Sequence, residues 1–89
     1  MELKAGIKGE ATVAVTESNT AASMGSGLLA VFATPSMIAL MEQAAFTCVT
    51  PALEEGCGTV GTLMNVKHLA ASPVGAHIRA EAELTQVDG

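Results

Sequence analysis

Apolar and polar positions alternate near the start of the chain. In GEATVAVTES, Ala11, Val13 and Val15 fall on one face and Thr12, Ala14 and Thr16 on the other, a period that predicts a β-strand. SNTAASMGSG, rich in Ser, Asn and Gly, predicts a loop, and LLAVFA reads as a short strand or an irregular lead-in. The period then changes to that of a helix. Met37, Ile38, Leu40, Met41, Ala44, Ala45, Phe46, Cys48 and Val49 wrap most of a helical circumference, and Ser36, Gln43, Thr47 and Thr50 leave only a thin polar stripe. A helix apolar almost all round is expected to be buried. Thr34-Pro35 predicts its start, with Thr34 as N-cap and Pro35 at the first helical position. The helix is expected to reach Val49 or beyond, to bend at Pro51 and to end by Gly56.

Two more alternating runs follow. In TVGTLMNVKHLAA, Val60, Thr62, Met64, Val66 and His68 share one face, with Gly61, Leu63, Asn65, Lys67 and Leu69 on the other. SPVG predicts a turn. In AHIRAEAELTQV, Ala76, Ile78, Ala80, Ala82 and Leu84 point inward and His77, Arg79, Glu81, Glu83 and Thr85 outward. The sequence then reaches VDG, a strong hairpin signal with no returning strand after it, and the chain is read as a truncated or incomplete form of a longer domain. The predicted architecture is α+β, one domain over residues 1–89, with an antiparallel sheet wrapped on a single central helix. An open sheet edge and a thin core predict dimerisation.

Composition narrows the function classes. A chain of 89 residues bounds one small domain, and 49% hydrophobic against 15% charged residues is a folding composition. With two Phe and neither Trp nor Tyr, the core must be built from aliphatics, alanine and methionine. The net charge of −5 argues against a nucleic-acid partner. Lys4, Lys8, Lys67 and Arg79 form no patch, although they could meet the few phosphates of a nucleotide-like group. No stretch is long and apolar enough to span a bilayer, and the N-terminus lacks signal-peptide order. Cys48 and Cys57 have no framework spacing and are expected as reduced thiols of a cytoplasmic protein. Neither groups with a histidine as metal ligands would, and Cys57, with no adjacent base, is read as a plain loop thiol.

Four residues stand out for chemistry. Glu42 has Ile38, Met41, Ala45 and Phe46 as its helical neighbours. It lies either on the shoulder of the polar stripe with its carboxylate in water, or in an apolar pocket as a base or nucleophile. His68 shares a strand face with Val66 and Met64, as a core or edge histidine bonded to backbone or as a proton carrier. His77, on the charged outward face, is expected in solvent. Thr34 is explained by N-capping alone, so a working hydroxyl there would have to serve cap and substrate together. Gly61 sits mid-strand, where glycine often marks a close backbone approach, and its N–H could face a developing oxyanion. GSG at 25–27 is too short to indicate phosphate binding. Thr34 and Glu42 are eight positions apart, about 12 Å along one helix. A site using both is therefore wide, or built across two subunits.

The order Thr-Pro, Glu, Gly, His, carried by ATPSMIALMEQAA, TVGTLMNVKHLAASPVGA and IRAEAELTQVDG, resembles the hot-dog-fold thioesterases of the fluoroacetyl-CoA thioesterase type. The similarity runs from about Thr16 to Gly89. It implies a long helix wrapped by an antiparallel sheet, with subunits pairing as a homodimer or dimer of dimers to form the sites. It implies hydrolysis of a small acyl-CoA thioester with no cofactor beyond the CoA of the substrate. Thr34, Glu42 and His68 then correspond to the catalytic Thr, Glu and His, and Gly61 to the glycine whose N–H holds the thioester carbonyl. On this reading Glu42 is nucleophile or general base, His68 activates water or protonates the leaving thiolate, and Thr34 orients its partners. The family domain continues past VDG with further strands. Leu28, with Phe32 nearby, stands where the fluoroacetyl-CoA enzyme has an aromatic lid residue, so fluoroacetate selectivity is not implied. The alternative is a non-catalytic hot-dog module that binds acyl-CoA or serves assembly. A hot-dog hydratase fits less well, because its helix-borne Asp and His motif is missing.

Overall fold

The computed structural model describes residues 2–88. In chain order it contains strand β1 (Lys8–Ala14), a 3-10 turn (Glu17–Asn19), a one-turn helix α1 (Ala21–Met24), the long helix α2 (Thr34–Val49), a second 3-10 turn (Thr50–Ala52) and strand β2 (His77–Glu83). The two strands pair antiparallel, from Lys8 opposite Glu83 to Ala14 opposite His77. α2 lies across one face of this ladder.

Alternation sorts the two faces as expected. Ala11, Val13, Ile78 and Ala80 turn toward α2, while Lys8, Glu10, Arg79, Glu81 and Glu83 are exposed on the outer face. Glu10 stands directly opposite Glu81, an arrangement that repels across an antiparallel pair. Arg79 bridges them: its Nε and Nη2 donate to Glu10 Oε2 at 2.9 and 2.5 Å, and Nη2 is 3.0 Å from Glu81 Oε1. The bond and charge of Glu10, then the charge of Glu81, hold the guanidinium above its ordinary pKa.

The core is made of Ala11, Val15, Phe32, Leu40, Ala44 and Ala80. Small side chains at the helix–sheet contact let the two backbones close in. The approach is tightest at Gly9, where a Cβ would stand 2.7 Å from Cys48 Cα and 2.9 Å from the Ala44 carbonyl oxygen. Cys48 Sγ adds a tie by donating to the Ile7 carbonyl at 3.2 Å.

Three expectations are corrected. α2 is buried on one side only: Leu40, Ala44, Cys48 and Val49 are enclosed, whereas Met41, Ala45 and Phe46 are exposed. Two strands about 4.8 Å apart cover one flank of a cylinder about 10–12 Å across and no more. Secondly, residues 59–71 form no ladder, and Val60, Leu63 and Leu69 are at least 86% exposed. β2 pairs only with β1 among the described residues, and residues 59–71 meet α2 through Gly61 at Glu42 and His68 at Thr34. The alternation survives only as half-burial of Val66 and His68 between exposed neighbours. Thirdly, both strands are shorter than their alternating runs, although Gly6 and Leu84 extend the pairing by backbone bonds.

The lead-in to α2 is held by isolated bridges, Thr20 with Phe32 and Val31 with Pro73. SPVG turns as expected, with Gly75 at φ +97° and Ala76 N–H donating to the Pro73 carbonyl. The Asp88-Gly89 hairpin signal falls partly on Gly89, outside the described residues. Among the described residues no helix is long and apolar enough to cross a membrane.

Candidate active site

The chain enters α2 in an extended conformation at Ala33 (φ −72°, ψ 141°), which is the N-cap, and Thr34 is the first helical residue. The start expected from Thr34-Pro35 is therefore displaced by one position. The displacement matters chemically, because no side chain makes the cap bond and the Thr34 hydroxyl is free of that duty. Thr34 Oγ1 lies 2.7 Å from His68 Nδ1. Either the hydroxyl donates to an unprotonated Nδ1 or it accepts from Nδ1–H.

The backbone explains why residues so far apart in sequence meet. Phe32 N–H donates to the Ser72 carbonyl at 2.8 Å, and Val31 bridges to Pro73. The stretch just before Thr34 and the stretch just after His68 are thus pinned together. Phe32 itself is 3% exposed and anchors this crossing in the core. It is no substitute for an aromatic lid, and Leu28, 97% exposed, covers nothing. The Thr34–His68 pair lines an open recess of about 330 Å³ with Ser26 and Leu69 on its walls.

Glu42 lies about 12 Å further along α2 from Thr34. It is exposed, so the question of how an apolar helix keeps an acid is answered by water on that side of α2. Its Oε2 rests against Gly61, where a Cβ would come within 2.8 Å. Glycine is what leaves room for the carboxylate. Glu42 and Gly61 line a larger cleft of about 680 Å³ walled by Met41, Phe46, Leu63 and Leu84, within the roughly 300–1,000 Å³ of small-ligand sites. Gly61 lies on an unladdered segment, not in the strand expected for it, and the close approach at it is made by the Glu42 carboxylate.

The four residues singled out in the sequence thus form two pairs in two recesses. Thr34 with His68 is a hydroxyl–imidazole couple suited to carrying a proton; Glu42 with Gly61 sets a carboxylate beside bare backbone. No hydrogen bond or ion pair joins Glu42 to His68 among the described residues. His77 is exposed on the outer sheet face, as expected. Among the described residues no group of His, Cys, Asp and Glu side chains is arranged to hold a metal ion. Sequence reasoning missed Ser72 and Asn19, whose bonds hold the lead-in to α2. Ser72 contributes only its carbonyl, which any residue supplies. Asn19 carried a faint signal as the fourth residue of Thr-x-x-Asn, a variant of the capping-box spacing.

Residues 15–89 match the family model described as fluoroacetyl-CoA-specific thioesterase. A fluoroacetyl-CoA thioesterase from Streptantibioticus cattleyicolor is 46% identical over 59 residues, covering 66% of this chain and 42% of that protein. A solved fluoroacetyl-CoA thioesterase structure superposes with a TM-score of 0.90 at 32% identity, over 100% of this chain and 70% of that one. A Thermus thermophilus thioesterase superfamily member superposes at 0.85 with 29% identity, over 97% of this chain and 64% of that one. The match therefore spans less than half the length of the curated relative. The fold is the hot-dog arrangement of an antiparallel sheet on one long helix.

Proposed function

This chain belongs to the fluoroacetyl-CoA-specific thioesterase family, and from that premise we propose that it hydrolyses a small acyl-CoA thioester to the free acid and CoA. The observation that carries the reading is the Thr34 hydroxyl, relieved of capping and 2.7 Å from His68 Nδ1. A hydroxyl engaged by an imidazole at a cleft wall is a proton-handling arrangement, and folding alone does not require it.

In the proposed reaction the oxygen of water becomes bonded to the acyl carbon, the C–S bond breaks, and the departing CoA thiolate takes up a proton. Glu42 acts as nucleophile or as general base toward water. His68 activates water or protonates the thiolate, held in orientation by Thr34. The Gly61 N–H donates to the thioester oxygen as negative charge develops on it. The substrate brings its own CoA, and no further cofactor enters the chemistry.

Because the two pairs stand apart along α2, the working site requires closure around the substrate. A homodimer, or a dimer of dimers, is the assembly proposed: Met41, Phe46 and Leu63 leave apolar surface open beside Glu42, and a second copy over it excludes water from the reaction. The free thiols Cys48 and Cys57 support a cytoplasmic location. The acyl group is left as small, since an exposed Leu28 gives no support for fluoroacetate selectivity.

One observation favours a second reading, a non-catalytic module that binds acyl-CoA: Glu42 is exposed and bonded to neither member of the Thr34–His68 pair. The two are separated by offering short, branched and aromatic acyl-CoAs, following free thiol colorimetrically and binding calorimetrically. Thiol release is expected, and the acyl group with the highest kcat/KM names the substrate class. Binding by folded protein without thiol release would move the reading to the module.

A further inference from the structure

We propose that Asn19 is the positioning residue of the Thr34–His68 pair. Asn19 lies in the loop after β1, outside the sequence motifs that carry the family resemblance, and it is half-buried. Its side chain spends both functions. Oδ1 accepts from Thr16 N–H at 2.9 Å, closing the 3-10 turn, and Nδ2 donates to the Ala14 carbonyl at 3.0 Å, the last residue of β1. Its backbone carbonyl accepts from Ala33 N–H at 2.9 Å. Ala33, 0% exposed, is the residue immediately before Thr34.

One residue therefore connects the end of the sheet to the start of α2. The connection continues on either side. Val15 N–H donates to Ala76, tying the same strand end to β2, and Ala21 N–H donates to Val31, aligning the loop with the lead-in. On the far side of the lead-in, Phe32 N–H bonds to Ser72, the anchor of the segment that carries His68. The lead-in is thus held between Asn19 on one flank and Ser72 on the other. Thr34 is the first residue past this clamp, and the direction of its hydroxyl follows from where the clamp sets Ala33. A shift of order 1 Å at such a pair is worth about 10²-fold in rate when the pair carries catalysis.

The test uses a substitution that divides the two functions of the side chain. Asn19→Asp keeps the acceptor for Thr16 N–H and loses the donor to Ala14, so the local turn is kept while the tie to β1 breaks. Thr34→Val supplies the reference in which the bond to His68 is absent. The readout is the ¹⁵N shift of the His68 ring nitrogens, with backbone amide spectra of β1 and β2 reporting the fold. The expected result is that Asn19→Asp moves the His68 Nδ1 signal toward its Thr34→Val position while the ladder signals stay in place. Turnover, which rests on the thioesterase reading, is expected to fall about tenfold in kcat with KM within twofold.

A His68 signal unchanged in Asn19→Asp but shifted in Thr34→Val would overturn the positioning role and leave the thioesterase reading standing. A signal unmoved even by Thr34→Val would mean that the pair does not form, and both would fall together. If Asn19→Asp does not fold, Asn19→Ala, which drops the side-chain bonds to both Thr16 and Ala14, replaces it. The same displacement of the His68 signal is then required, and its absence overturns the proposal.

Discussion

Replacing Gly61 by alanine sets a methyl carbon 2.8 Å from Glu42 Oε2, and the carboxylate must retreat by about 0.6 Å to reach the 3.4 Å of ordinary contact. The obstacle is the far end of a flexible side chain, so the fold yields easily. Gly61 has no positive φ, so alanine takes the same backbone and also restricts the unfolded chain, an effect of about 0.4–1 kcal/mol in favour of folding. Stability is therefore expected to be unchanged or slightly raised. Activity is expected to suffer, because a carboxylate displaced on the order of 1 Å from its working position costs about 10²-fold; with 0.6 Å the loss in kcat should lie between about tenfold and a hundredfold. Gly9→Ala is the control. Its methyl would stand 2.7 Å from Cys48 Cα and 2.9 Å from the Ala44 carbonyl oxygen. Backbone atoms of α2 cannot step aside, so overpacking is expected to cost about 1–3 kcal/mol or more, a fall of at least several degrees in Tm. Thermal unfolding and thiol release on the two variants give the comparison. Full turnover in a folded Gly61→Ala protein would refute the seat assigned to the Glu42 carboxylate, and an unchanged Tm in Gly9→Ala would refute the tight helix–sheet contact.

Other substitutions probe separate parts of the account. Thr34→Val should cost no more than about 0.5 kcal/mol by urea denaturation, because an exposed hydrogen bond is lost and its partner rehydrated; a loss near 1 kcal/mol or above would restore the capping role. Leu40→Ala, at a side chain 5% exposed, should cost about 2–5 kcal/mol, and a smaller loss would show that the thin core collapses around the gap. Arg79→Ala leaves Glu10 and Glu81 opposed without a bridge; a small loss of stability in dilute buffer that shrinks in high salt is expected by urea denaturation, and a salt-independent loss would point to packing instead.

How far the sequence could be read depended on whether a feature is local. The faces of β1 and β2 were legible because one-sided burial imposes a period of two, and Ala11, Val15 and Ala80 lie inside as their positions required. The start of α2 was legible to within one residue from Thr34-Pro35, the ordinary uncertainty of a helix end. The partner of the Thr34 hydroxyl was not, because His68 reaches it through a crossing of residues 31–33 with 72–73 that no local pattern encodes. Alternation in 59–71 misled, since it records which side chains prefer shelter and says nothing about whether a ladder partner exists. Glu42 could not be placed in water or in a pocket from α2 alone, because that depends on how much sheet is available to wrap the helix. Gly9 and Gly61 look alike in sequence, and only the structure distinguishes a glycine that admits a helix backbone from one that admits a carboxylate. Thr34, Glu42, His68 and Gly61 stand out in the sequence one by one and are joined into one site only by the family resemblance; their division into two pairs was not foreseen.

The claim that this chain is a thioesterase meets its most direct test in the release of CoA thiol from the best short acyl-CoA by the native chain, run beside Glu42→Ala and His68→Ala. Hydrolysis by the native protein, reduced by on the order of 10²-fold or more in each variant with folding intact, is the predicted result. A folded native protein that releases no thiol, or variants that match it, would contradict the account and leave an acyl-CoA-binding module in its place.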